Sequence, residues 1–169
     1  MHNIYIQLVK SSFKSLYDIL DKIACFINEY LKIGVPETKI NFRRVWYSDL
    51  RTKTVHEKIT DTENYSLNAL FDMHQDFEKG PYKKLRDTRN ALTHRFVNVR
   101  MFEEKENAEN MTEETLLDQT LQLAKLTRNA IVYLLQFVYV EQTKKETGSK
   151  TALLPMIARE LPDDLKSDR

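Results

Sequence analysis

One cysteine, three glycines and four prolines in 169 residues leave little that could staple, hinge or break this chain. The lone thiol, Cys25, sits in the apolar run Ile23-Ala24-Cys25-Phe26-Ile27, so neither an intrachain disulfide nor a cysteine-based zinc site can form, and the position is a poor one for a nucleophile. Scarce glycine and proline mean few forced stops, which favours long helices. No segment approaches the roughly 18 apolar residues that span a bilayer. The opening Met1-His2-Asn3-Ile4-Tyr5 has no basic region followed by an uninterrupted apolar stretch. The expectation is a cytoplasmic protein with no membrane contact. No glutamate is followed three residues later by histidine, which excludes the carboxylate-bridged di-iron bundle. No metal site and no cofactor is expected.

What is present reads as helix. Val9, Phe13, Leu16, Leu20, Ile23, Ile27 and Tyr30 recur in steps of four and three, the seam of an amphipathic helix over residues 4–33, with Tyr17, Ala24 and Leu31 widening it. Gly34 and Pro36 suit its end, glycine as the cap. Residues 37–62 hold no sustained period and are read as an ordered connection. Its aromatic, basic stretch Ile40-Asn41-Phe42-Arg43-Arg44-Val45-Trp46-Tyr47 has two readings: a lid in which Phe42 and Trp46 cover one end of a bundle, or a stacking surface for bases. A second helix is predicted over 63–78, with Leu67, Leu70, Phe71, His74 and Phe77 on one face and His74 as a satisfied core residue. Lys79-Gly80-Pro81 interrupts it, and a third helix follows to about residue 97, with Pro81 in its first turn and Leu85, Leu92 and Phe96 buried. Residues 98–111 read as an acidic connection. Thr112 then suits the N-cap of a long fourth helix, with Glu113 and Glu114 in its first turn and a stripe of Leu117, Leu121, Ala124, Ile131, Leu134, Leu135 and Val138.

Amphipathic helices with one apolar stripe each must bury those stripes on one another. The fold expected is all-α, a four- to five-helix bundle of up-down topology with an irregular insertion between helices one and two. It should occupy residues 1–147, leaving 148–169 as a C-terminal arm.

The net charge of +1 hides an uneven distribution. Lys83, Lys84, Arg86, Arg89, Arg95 and Arg100 face the single acid Asp87, and Glu103, Glu104, Glu106, Glu109, Glu113 and Glu114 follow directly. This basic run is either a solvated face paired with those acids or a surface that meets phosphates. Helical spacing puts Arg86, Asn90 and His94 on one face, with Arg89 and Thr93 beside them. A guanidinium offers a fixed fork of donors to phosphate oxygens, an imidazole exchanges protons near neutral pH, and an amide can orient either; together they suit a phosphodiester.

The run Arg89-Asn90-Ala91-Leu92-Thr93-His94 resembles the signature of the HEPN superfamily, an arginine followed by a polar residue and, after four to six intervening positions, a histidine. Tyr17-Asp18-Ile19-Leu20-Asp21-Lys22-Ile23-Ala24, with Gly34 and Phe42-Arg43-Arg44-Val45-Trp46, resembles a bacterial subgroup linked to defence and stress, so the likeness spans roughly 12–140. The resemblance implies a metal-independent endoribonuclease of the toxin or antiviral-defence kind. Two protomers would share a cleft in which Arg89, Asn90 and His94 are catalytic and Lys83, Lys84, Arg86 and Arg95 bind RNA. It implies a homodimer and, as a further partner, an antitoxin or regulatory protein. In members controlled by a nucleotidyltransferase the modified tyrosine stands two residues after the histidine; here that position is Phe96, which cannot be adenylylated. The rival expectation is a non-catalytic module that dimerises or binds a nucleotide or a partner.

Overall fold

The four-three spacing of apolar residues winds Ile4–Tyr30 into α1, which buries Phe13, Leu20, Ile23, Ala24 and Ile27. The computed structural model describes residues 4–94, 98–100 and 110–147. α1 stops at Tyr30, short of the expected end, because Lys32 takes a left-handed backbone (φ 52°) and the Ile33 N–H closes on the Asn28 carbonyl at 2.9 Å. The capping residue is therefore Lys32 and not Gly34, which follows at φ 92° in the next bend. The Asn28 side chain then clamps Val35, accepting its N–H at 2.9 Å and donating to its carbonyl at 3.1 Å.

The insertion is more regular than its sequence suggests. It contains a 3₁₀ turn at Glu37–Lys39, an antiparallel pair of β1 (Tyr47–Asp49) with β2 (Thr54–Val55), and a one-turn helix α2 (Glu57–Thr60). Phe42 and Trp46 are buried, at 4% and 0% exposure, and the Trp46 indole N–H donates to the Phe42 carbonyl at 2.6 Å. Of the two readings, the lid holds. Trp46 has no exposed face to offer a stacking base, and Phe42 keeps only a sliver of surface.

Asn64 caps α3 (Tyr65–Glu78) by accepting the Ser66 and Leu67 N–H groups. Leu67, Leu70, His74 and Phe77 are buried as expected, joined by Met73. α4 spans Lys83–His94 and buries Leu85, Ala91 and Leu92. Pro81 lies in the turn ahead of it and not in its first helical turn, and Phe96 lies outside the described residues. Part of the expected acidic connection is strand: β3 (Asn98–Arg100) runs parallel to β4 (Asn110–Thr112), with Val99 opposite Met111.

Thr112 caps α5 (Glu113–Thr147), accepting the Thr115 N–H on its hydroxyl at 3.1 Å. The stripe expected on this helix holds only in part: Leu134 and Val138 pack against the core, but most of the inner face is shifted. Leu121, Ile131 and Leu135 are 53%, 40% and 64% exposed, while the core takes Leu116, Leu123, Leu126, Ala130, Phe137 and Val140 together with the threonines Thr120 and Thr127. Ile131 to Val140 is apolar at all but one position, so periodicity alone could not select the inner face there.

α1 and α5 run in the same direction, since Leu16 sits level with Thr127 and Tyr30 with Phe137 and Gln142. α3 runs antiparallel to both, its start at Gln136 and Glu141 and its end beside Tyr17. The short α4 lies against the end of α3 and the middle of α1, and its Thr88 donates to Gln119 of α5 at 2.6 Å. Among the described residues no helix is long and apolar enough to cross a membrane. The arm expected at 148–169 lies outside them.

Candidate functional site

α1 presents Tyr17 and Asp21, one turn apart, to the start of the insertion and to α4. The Arg89 guanidinium lies over the Tyr17 ring at 5.4 Å, its Nη2 is 3.8 Å from Asp21 Oδ2, and its Nη1 donates to Asn90 Oδ1 at 3.4 Å. Asp21 uses its other oxygen to accept the Phe42 N–H at 2.8 Å. Burial raises the Asp21 carboxyl above the usual carboxylate range, outweighing the Phe42 N–H and Arg89, which both favour its ionised form. Burial likewise pushes the Tyr17 phenol up, against the pull of Arg89.

A second knot lies at the end of α3. Glu78, with a side chain only 12% exposed, accepts Arg86 Nη1 at 3.1 Å and Arg43 Nε at 3.3 Å, and Arg86 also donates to the Glu78 carbonyl at 3.3 Å. The two knots flank a cleft of about 220 Å³ with Arg43, Arg86, Arg89, Asn90, Asp21 and Glu78 around it and Phe42, Phe77 and His74 as its more buried lining. His74 is 2% exposed, and its Nε2 has no hydrogen-bond partner among the described residues. Burial, helped by Arg43 and Lys53 and opposed by Glu78, pushes its pKa down to about 4, so the ring is neutral near pH 7. Three guanidiniums and two carboxylates line the cleft, and Arg86 also reaches Asp87 outside it at 3.5 Å, so the arginines offer donors to a ligand while their charge is largely balanced.

Of the residues singled out from sequence, Arg86, Arg89 and Asn90 come together in this cleft. Arg86 is tied to Glu78 as well as facing the cleft. Lys83 and Lys84 are exposed at the start of α4 and do not line it. His94 closes α4 one turn beyond Asn90 and is placed by its backbone alone; Arg95 lies outside the described residues. His74, expected as a satisfied core residue, is in the core with one nitrogen unsatisfied. Asp21, Glu78 and Arg43 were not anticipated. The one local signal was Tyr17 and Asp21 at helical spacing; the Glu78 knot joins the insertion, α3 and α4, and no short sequence window contains it. Among the described residues there is no group of three or more His, Cys, Asp or Glu placed to hold a metal ion.

Compared with known proteins, residues 1–141 match the family described as LA2681-like HEPN. The matched span takes in α1 to α4, the insertion and most of α5. No curated protein and no solved structure matches the chain.

Proposed function

We propose that this chain, which belongs to the LA2681-like HEPN family, is a metal-independent endoribonuclease that works as a homodimer. The observation that carries the reading is the run Arg89-Asn90 on α4 with His94 one turn on, beside a cleft lined by three arginines. In the reaction, His94 takes the proton of a ribose 2′-hydroxyl, and the freed oxygen attacks the adjacent phosphorus. Arg89 stabilises the charge that gathers on the phosphorane oxygens. The P–O5′ bond breaks, the departing oxygen takes a proton from the same residue type in the second protomer, and a 2′,3′-cyclic phosphate remains. Asn90, already bonded to Arg89, holds the guanidinium in place. The exposed Lys83 and Lys84 at the start of α4 draw in the RNA backbone, joined by Arg86 and Arg95. An antitoxin or regulatory protein that covers this face would restrain the activity.

The test is incubation with RNA in excess chelator, comparing wild type with Arg89→Ala and His94→Ala and weighing each by light scattering. Cleavage by the wild type, lost in both variants at unchanged dimer mass, supports the enzyme. A wild type that cleaves at no concentration supports a binding or dimerisation module instead.

A further inference from the structure

We infer that the cleft beside Arg89 reads sequence: it takes one unpaired nucleobase of the RNA, and His74 Nε2 is the buried group whose hydrogen bond distinguishes one base from another. The inference rests on the reading that RNA is the ligand, and adds to it a place where a base is recognised.

Its size is the first argument. At about 220 Å³ the cleft falls below the roughly 300 Å³ at which sites for drug-sized molecules begin, so it suits a fragment such as a single base. The lining is the second. Phe42 and Phe77 are the apolar part of its lining, and Arg43, Arg86 and Arg89 stand around it with guanidinium donors, which matches a base entering with its phosphate left outside. Sequence-specific contacts to RNA are made in this way, by splaying out an unpaired base and bonding its edge.

His74 is held in place by its neighbours. Its ring is stacked on Trp46 at a centroid distance of 6.3 Å and braced edge-on by Tyr47 at 5.6 Å, so it cannot swing to solvent. A buried nitrogen such as this one, without a partner among the described residues, is costly, and a ligand that satisfies it gains over one that does not. Sites built this way discriminate strongly, because the wrong ligand leaves the polar group unpaired.

Trp46, the only tryptophan, reports on the pocket by fluorescence. Titrating the intact protein with each of the four nucleoside 5′-monophosphates, one should bind at least about tenfold more tightly than the weakest. Inorganic phosphate should leave the emission unchanged, and His74→Phe, which keeps an aromatic ring, should compress the spread to within about threefold. Because that variant could fold poorly, the imidazole ¹⁵N resonances of wild-type His74 give a second readout: they should shift with the preferred nucleotide and not with phosphate. A tetranucleotide RNA carrying the preferred base should bind more tightly than the mononucleotide; the reverse order overturns the assignment to RNA. Equal response to all four nucleotides, a response reproduced by phosphate, or an undiminished preference in folded His74→Phe overturns the inference. None of these readouts needs turnover, so base preference without cleavage faults the nuclease reading alone, and cleavage without base preference faults this inference alone.

Discussion

Asp21 Oδ2 stands 3.8 Å from Arg89 Nη2, on the opposite side of the carboxylate from the oxygen that accepts the Phe42 N–H. One side chain of α1 thus ties the motif helix to the lid. Asp21→Asn keeps an acceptor for Phe42 and removes the charge that orients Arg89. The pair is partly exposed, so unfolding free energy should change by less than about 1 kcal/mol. Under the nuclease reading kcat should fall about tenfold with little change in KM, as expected for an interaction that matters in the transition state. Steady-state cleavage beside urea unfolding checks both, and an unchanged kcat would count against the role of Asp21.

Trp46 of the lid is part of the core, which makes it expensive to remove. Trp46 has no exposed surface and packs on Phe42, Phe71 and His74. Trp46→Ala should cost roughly 3–5 kcal/mol in chemical unfolding. A loss below about 1 kcal/mol would mean that the insertion is not part of the cooperative core.

His74 makes stability depend on pH. The folded ring stays neutral down to about pH 4, while in the unfolded chain it takes a proton near the ordinary value of 6.5. Between those values the unfolded state binds more protons, so stability falls as the pH drops from 6.5 toward 4, by about 1.4 kcal/mol per pH unit and roughly 3 kcal/mol in all. Above 6.5 this group contributes no slope. The contribution of this one group is isolated as the difference between the wild-type and His74→Phe pH profiles; parallel profiles would refute the assignment.

On α5 the corrected phase is directly testable. Leu123→Ala removes a fully buried side chain and should cost about 2–5 kcal/mol, whereas Leu121→Ala, 53% exposed, should stay within about 0.5 kcal/mol. The opposite ranking would restore the stripe that the sequence suggests.

The contrast on α5 shows how far local pattern carries. α1 was legible because polar residues separate its apolar ones at a steady four-three spacing, and the start of α5 because Thr112 followed by two glutamates is a cap with its complementary charges. The face of α5 was not, because apolar residues surround the helix from Ile131 onward while Thr120 and Thr127 are buried, their hydroxyls bonded to the Leu116 and Leu16 carbonyls. The same divide runs through the site. Arg86, Arg89 and Asn90 share one short helix and could be grouped by spacing, but Asp21, Arg43, His74 and Glu78 join them only through the packing of three other segments. Pairing across such separations has no local signature.

Chemical analysis of the RNA ends made in excess chelator tests the central claim most directly. The account predicts 2′,3′-cyclic phosphate and 5′-hydroxyl termini from the wild type, with both absent from His94→Ala. Termini of 3′-hydroxyl and 5′-phosphate, or the cyclic product at an undiminished rate from His94→Ala, would contradict it.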